Sequence, residues 1–401
     1  MENGAAMRRA LLLAPGVVLL GAVLLEGGDG GAPATAGDAD VHLGAGSCAA
    51  TACHGGTEDR RNEHTAWRQH DRHAQAYLAL LEPLGVQIAR RLRFERPAHE
   101  TPACLACHGT DPESYRLGER FDARDGVSCE ICHGGSSRWL GPHAAPGWAA
   151  KPASEKAALG MRDLTTAASR ARLCVDCHVG SPDGRGVVTH DFLAAGHPPL
   201  EFDAAAFQDA MPPHWTDEAD LDEPLWVVGQ ALGTAAKLDA AARAPEDYAH
   251  MECASCHHAL DPNGYYARRE PPGPAGRPRL DTASLLVVER VLGVPLELSD
   301  DRATWTAAAD RARAAAEGSS GGRGGRLEAW LRAIAAGEES VPAATARQLA
   351  FAVRALSPGR ASPEFREAYG ALGRMLAPEV AYDPVAVARA ALAAFEAGRA
   401  R

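Results

Sequence analysis

Lysine is almost missing from this 401-residue chain: Lys151, Lys156 and Lys237 are the only three. Unpaired cysteine is missing too, because all ten cysteines fall into five closely spaced couples and leave no stray thiol to explain. After Leu25 no apolar run approaches the ~20 residues a membrane-spanning helix needs, which excludes a later crossing segment. Cysteine and histidine both vanish beyond His258, which excludes thiolate or imidazole metal chemistry from the C-terminal part. Excess positive charge is absent as well: a formal charge of −11 argues against nucleic acid as a partner and for basic partners.

What is present is concentrated in the cysteine couples, each of which closes directly before a histidine. They read Cys48-x4-Cys53-His54, Cys104-x2-Cys107-His108, Cys129-x2-Cys132-His133, Cys174-x2-Cys177-His178 and Cys253-x2-Cys256-His257. Disulfides do not require a histidine after the second cysteine. Structural zinc accepts Cys-x2-Cys, but it needs four ligands per ion and no histidine fixed behind the pair. Covalent c-type haem requires this arrangement: two thiols bond one porphyrin edge and the following imidazole takes the iron from the proximal side. Five haems c, with their iron, are therefore expected, the first on a wider loop than the strict motif. Function is accordingly redox.

Arg8 and Arg9 precede an apolar run from Ala10 to Leu25, interrupted by Pro15 and Gly16, and Gly- and Ala-rich sequence follows to Ala36. Residues 1–36 read as a secretory signal, with an uncleaved N-terminal membrane anchor as the alternative. Export to the periplasm or beyond agrees with the haem chemistry, since thioether formation takes place outside the bacterial cytoplasmic membrane.

The expected fold is mainly α with little regular structure. A haem domain over 44–268 is followed by a Pro-rich linker over 269–280 and an Ala-rich helical region over 281–401. So many haems in so short a stretch leave too few residues for an ordinary core, so porphyrin faces supply much of its buried apolar surface. Helical periodicity predicts helices over Glu63–Leu81, Gly85–Arg93 and Ala158–Leu173. In the tail it predicts them near Thr282–Leu292, Ala303–Glu317, Arg326–Ala336, Ala343–Leu356, Ser362–Leu376 and Asp383–Ala397. That tail reads as scaffold.

Sixteen histidines minus the five proximal ones leave eleven, all in the haem region, and histidine is the usual second axial ligand of low-potential haems. Several strings there resemble the exported multihaem cytochromes c related to the tetrahaem electron acceptor of the hydroxylamine-oxidation pathway. They include Trp67…Asp71-Arg72-His73-Ala74, Gly126-Val127-Ser128-Cys129-Glu130-Ile131-Cys132-His133-Gly134, Trp139-Leu140…His143, His190-Asp191-Phe192-Leu193-Ala194-Ala195-Gly196-His197-Pro198 and Pro213-His214-Trp215. The resemblance implies crossed ligation. His73 would cap the His178 haem, His143 the His54 haem and His197 the His133 haem, with His190 or His214 serving the fifth haem on His257. It also implies that the haem on His108 lacks a strong distal ligand.

Two functions follow. One is electron transfer through mostly bis-His haems between redox proteins or membrane quinol-linked complexes. The other is a multihaem oxidoreductase acting on a small nitrogen or sulfur compound at an open His108 haem; Arg91, Arg93, Arg96 and His99 could line such a pocket. The pentahaem nitrite reductases commonly use Cys-x2-Cys-Lys, which does not occur here. Oligomeric state is not readable.

Overall fold

Short helices hung on irregular loops make up the first half of the chain, and long Ala-rich helices make up the second. The computed structural model describes residues 40–58, 61–213, 221–257, 278–281, 283–299, 301–318, 321–377 and 380–399. The predicted signal, most of the Pro-rich linker, His214 and His258 lie outside these residues. Among those described are seventeen α-helices and one two-residue parallel ladder, Val41–His42 (β1) with Arg116–Leu117 (β2) in the register Val41↔Arg116. No helix among them is long and apolar enough to cross a membrane.

The helix expected over Glu63–Leu81 is broken. It runs as α1 (Glu63–His70), a 3-10 turn (Arg72–Gln75) and α2 (Ala76–Leu81), because Asp71 turns extended and its carboxylate accepts from the His73 backbone N–H. Pro83 then opens α3 (Pro83–Arg91) at its first position, where the missing N–H costs nothing. The helix expected over Ala158–Leu173 is also shorter. It begins at Ala167, capped by the Thr166 hydroxyl, because Gly160 adopts a positive φ of 89° and the chain after it hydrogen-bonds back, Arg162 N–H to the His133 carbonyl.

Helix α11 (Asp222–Arg243) was not expected at all. Trp226, Ala231 and Ala241 are fully buried on it, together with Leu225, Val227, Val228 and Leu238, so apolar residues surround the axis and leave no amphipathic stripe. It packs against α13 (Arg302–Glu317) and joins one continuous core with Val288, Leu331, Ile334, Val353 and Phe395 of the tail. The tail helices otherwise fall close to their predicted places: α14 Arg323–Ala335, α15 Ala343–Ala355, α16 Pro363–Met375 and α17 Pro384–Arg399. The first, α12 (Ala283–Val287), continues as a wider π turn to Leu292 and stops at Gly293, whose φ of 77° suits the left-handed cap.

Residues Asp40–Arg401 form one compact unit. A buried polar seam runs through it. Asp203 caps α10 (Ala204–Ala210) and accepts from Gln230 Nε2 of α11 at 3.0 Å, while the same nitrogen donates to Gln348 Oε1 of α15 at 2.9 Å. The ion pairs Arg347–Glu201 and Arg354–Asp209 tie the loop before α10, and α10 itself, to α15. By contrast, the apolar clusters of residues 40–210 are small, the largest centred on Leu80, Ala89, Cys104 and Leu105.

Candidate haem centres

Helical geometry brings the residues of the attachment motifs together. Residues i, i+3 and i+4 share one helix face, so Cys104, Cys107 and His108 at the end of α4 (Pro102–His108) project together, as do Cys129, Cys132 and His133 along α5 (Cys129–His133). In the fourth motif Cys174 lies in the last turn of α8 (Ala167–Val175), and a π turn over Asp176–Gly180 carries Cys177 and His178. Cys253 begins a 3-10 turn, and the first motif occupies the turns after Ala45–Ser47.

Among the described residues, four motif histidines lie beside a second histidine. His54 lies 6.1 Å from His143, His178 6.1 Å from His73, His108 6.3 Å from His197 and His257 6.3 Å from His190, ring centre to ring centre. A single metal ion bound by two opposed imidazoles, with each nitrogen at ~2.0 Å, holds the ring centres about 6.3 Å apart. Within 6.1–6.3 Å the pairs meet that requirement.

The other ring nitrogen is already engaged in most of these residues. His54 Nδ1 bonds Glu63 Oε2 at 2.8 Å, His73 Nδ1 bonds Asp71 Oδ1 at 3.0 Å, and His108 Nδ1 donates to the Ala76 carbonyl at 2.9 Å. His143 Nδ1 donates to the Leu140 carbonyl at 2.5 Å and His197 Nδ1 to the Pro198 carbonyl at 2.8 Å. Anchoring Nδ1 fixes the tautomer and leaves Nε2 as the metal-binding nitrogen. Burial pushes His178 down to about 4 and lowers His108 as well, so both are neutral imidazoles, the ligand form, at neutral pH. The hydrogen bond to Asp71 acts oppositely and raises His73.

His54 lies beside His143, His178 beside His73 and His257 beside His190, the partners that the crossed pattern names. The pairing of His197 departs from it. His197 stands across from His108 and not at His133, so His108 has an imidazole partner after all. The cause is local. Gly196 ends α9 (His190–Ala195) with a φ of 109°, and the Arg91 guanidinium of α3 donates to the Ala195 carbonyl at 3.0 Å, pinning this turn beside the helices around His108. The same contact uses Arg91, while Arg96 pairs with Glu113 on the surface, His99 rests against Tyr77, and Arg93 adopts a positive φ of 57° just beyond α3.

The motifs also approach one another. The Cys48 and Cys129 side chains are neighbours, as are those of Cys107 and Cys177, whose sulfurs reach the Cys177 and Ala106 carbonyls at 3.5 and 3.7 Å. Cys132 is buried close to Cys174 and Cys177, and burial pushes its thiol up to about 12. The fifth site joins through α9, which begins with His190 and leads directly to His197. Cys53, Cys253 and Cys256 are exposed, whereas no cysteine of the other three motifs is.

Three residues that motif spacing does not flag hold this arrangement. Asp71 and Glu63 orient imidazoles, as above. Glu130, a spacer inside the third motif and 1% exposed, accepts from the Leu43, Gly44 and Ser136 backbone N–H groups at 2.8, 2.7 and 2.8 Å. It ties the strand before the first motif to the third. Gly126 completes the join: it has a φ of 61°, and a Cβ there would meet the His73 carbonyl oxygen at 2.6 Å. Trp139 is buried with its Nε1 unpartnered, its ring 5.4 Å from His143, a donor suited to a haem carboxylate.

The family model described as cytochrome c554 and c-prime matches residues 47–134. That match supports a c-type cytochrome. Covalently bound haem c, iron and a part in electron transfer with redox protein partners follow from it. Neither curated proteins nor solved structures provide a match.

Proposed function

We propose that this cytochrome is an exported, five-haem electron carrier, with residues 1–36 as its signal and 44–268 as the haem-bearing part. The observation that supports the reading is the set of four histidine pairs with ring centres 6.1–6.3 Å apart, each containing one attachment histidine. Haem bound there supplies a one-electron ferric/ferrous couple. The chain's own residues do the rest. The paired histidines would hold the iron and leave no place on it for a small ligand, and the anchored Nδ1 atoms would keep the rings in place through a change of charge.

Contacts between motifs order the centres as His54, His133, His178, His108 and His257, so neighbours in space are not neighbours in sequence. The two ends carry the exposed cysteines, and electrons enter and leave there from redox proteins or a membrane quinol-linked complex. The partner for His133 is not among the four pairs; His214, the remaining distal candidate, lies outside the described residues.

The test is spectroscopic. Mass spectrometry of the mature protein should show five added haems. Electron paramagnetic resonance of the oxidised form should show low-spin signals only from the four paired centres, and carbon monoxide should leave those four unbound after reduction. Carbon monoxide binding at the His108 haem would revive an oxidoreductase.

A further inference from the structure

The paired histidines differ in what holds their second nitrogen, and that difference bears on redox potential. His108 and His197 both donate to neutral backbone carbonyls. His73 donates instead to the carboxylate of Asp71, whose side chain is 4% exposed and which also accepts from the His73 backbone N–H at 2.9 Å. Two bonds from one residue fix this carboxylate on its imidazole. A carboxylate draws the Nδ1 proton toward itself, and the electron density left at Nε2 makes the ring a stronger donor to the metal. A stronger donor favours the ferric over the ferrous state. Burial keeps water from screening the negative charge.

We propose that Asp71 is a positioning residue that holds the haem between His178 and His73 at a lower reduction potential than the haem between His108 and His197. Glu63 does the same for His54, but it is 23% exposed, so solvent blunts its influence. The two spatially adjacent centres His178 and His108 therefore form a downhill step, and an electron at the first is driven toward the second. This inference rests on the ligation proposed above.

Asp71→Asn in the full-length, haem-loaded protein tests it. The amide oxygen can still accept from His73, so the geometry stays and only the charge leaves. Five haems should be retained by mass, and potentiometric titration should move one midpoint to more positive potential while the others hold. One low-spin paramagnetic signal should shift with it. A titration that superimposes on the native one, or five midpoints that move together, overturns the proposal. If Asp71→Asn fails to mature, Glu63→Gln makes the same comparison at the His54 centre, where a smaller positive shift is expected and no shift overturns it. His73→Gly separates the two levels: a high-spin signal appears if His73 is a ligand, and its absence overturns the ligation itself.

Discussion

Removing the charge of Glu130 should loosen the whole N-terminal half without touching a single haem ligand. The Glu130→Gln side chain is isosteric, and its one carbonyl oxygen can keep the two bonds now made to Oε1, from Leu43 and Ser136. Its amide nitrogen then faces the Gly44 N–H, donor against donor, where Oε2 now accepts at 2.7 Å. One charge-assisted bond worth about 1.5–3 kcal/mol disappears, and the other two fall to the neutral range of about 0.5–1.5 kcal/mol. Burying a neutral amide is easier than burying a carboxylate, which returns part of the loss. The expected net cost is about 2–4 kcal/mol. It should appear as a lowered denaturation midpoint at unchanged haem stoichiometry and as faster hydrogen exchange of the Leu43, Gly44 and Ser136 amides. A cost below about 1 kcal/mol with those amides still protected would refute the view that this spacer carboxylate clamps the first motif to the third.

Other sites give further tests. Burial pushes Asp203 up to about 6 from its ordinary 3.8. The fold therefore keeps a proton that the unfolded chain has released, and stability declines as pH rises from about 4 to about 6, by about 3 kcal/mol in all. Asp203→Asn, with Gln230 and Gln348 both flipped to preserve the seam, should erase that decline. Its stability advantage over the native protein should grow across the window and level off above it; a pH-independent difference sinks the assignment. His197→Gly should create one high-spin, carbon monoxide-binding haem. In a chain that also lacks Cys104 and Cys107 it should add none, and a persistent signal would return His197 to the His133 centre. Trp226→Ala should cost about 3–5 kcal/mol and lower the unfolding midpoint of haem region and tail together, whereas two separated transitions would show independent domains.

Chemistry written in contiguous residues was legible from the start. Each attachment motif carries its own spacing, and three of them fall on helical turns that bring both cysteines and the histidine together. Tail helices were legible because alternating apolar and polar faces repeat over many turns with clear stops, Gly293 and Gly337 among them. Distal partners were harder, since a histidine meets its haem through space, and one glycine turn decides which. Gly196 and its contact with Arg91 sent His197 to His108. Helix α11 escaped notice because apolar residues all round it erase the stripe on which periodicity depends. Asp71 and Glu130 were within quoted strings but had no readable role: Asp71 acts only through the imidazole it orients two residues on, and two of the three backbone N–H groups that Glu130 accepts from belong to the distant Leu43 and Gly44.

The distribution of apolar contact gives the tail its purpose. Residues 40–210 hold only small clusters, so without porphyrin faces this half lacks the buried area that offsets chain entropy. The large core lies instead between α11 and the tail. Helix α11 packs along α8 and the π turn that carries Cys177 and His178; a Cβ on its Gly233 would stand 3.8 Å from the Val179 side chain. It therefore presents a rigid, independently cored surface to the fourth motif. Electron transfer demands that ligands hardly move when the iron changes charge, and a region poor in its own packing can meet that demand by leaning on a neighbour that is not. On the proposed reading, a helical tail without one metal ligand among its described residues would serve the fourth motif by backing the turn that carries Cys177 and His178.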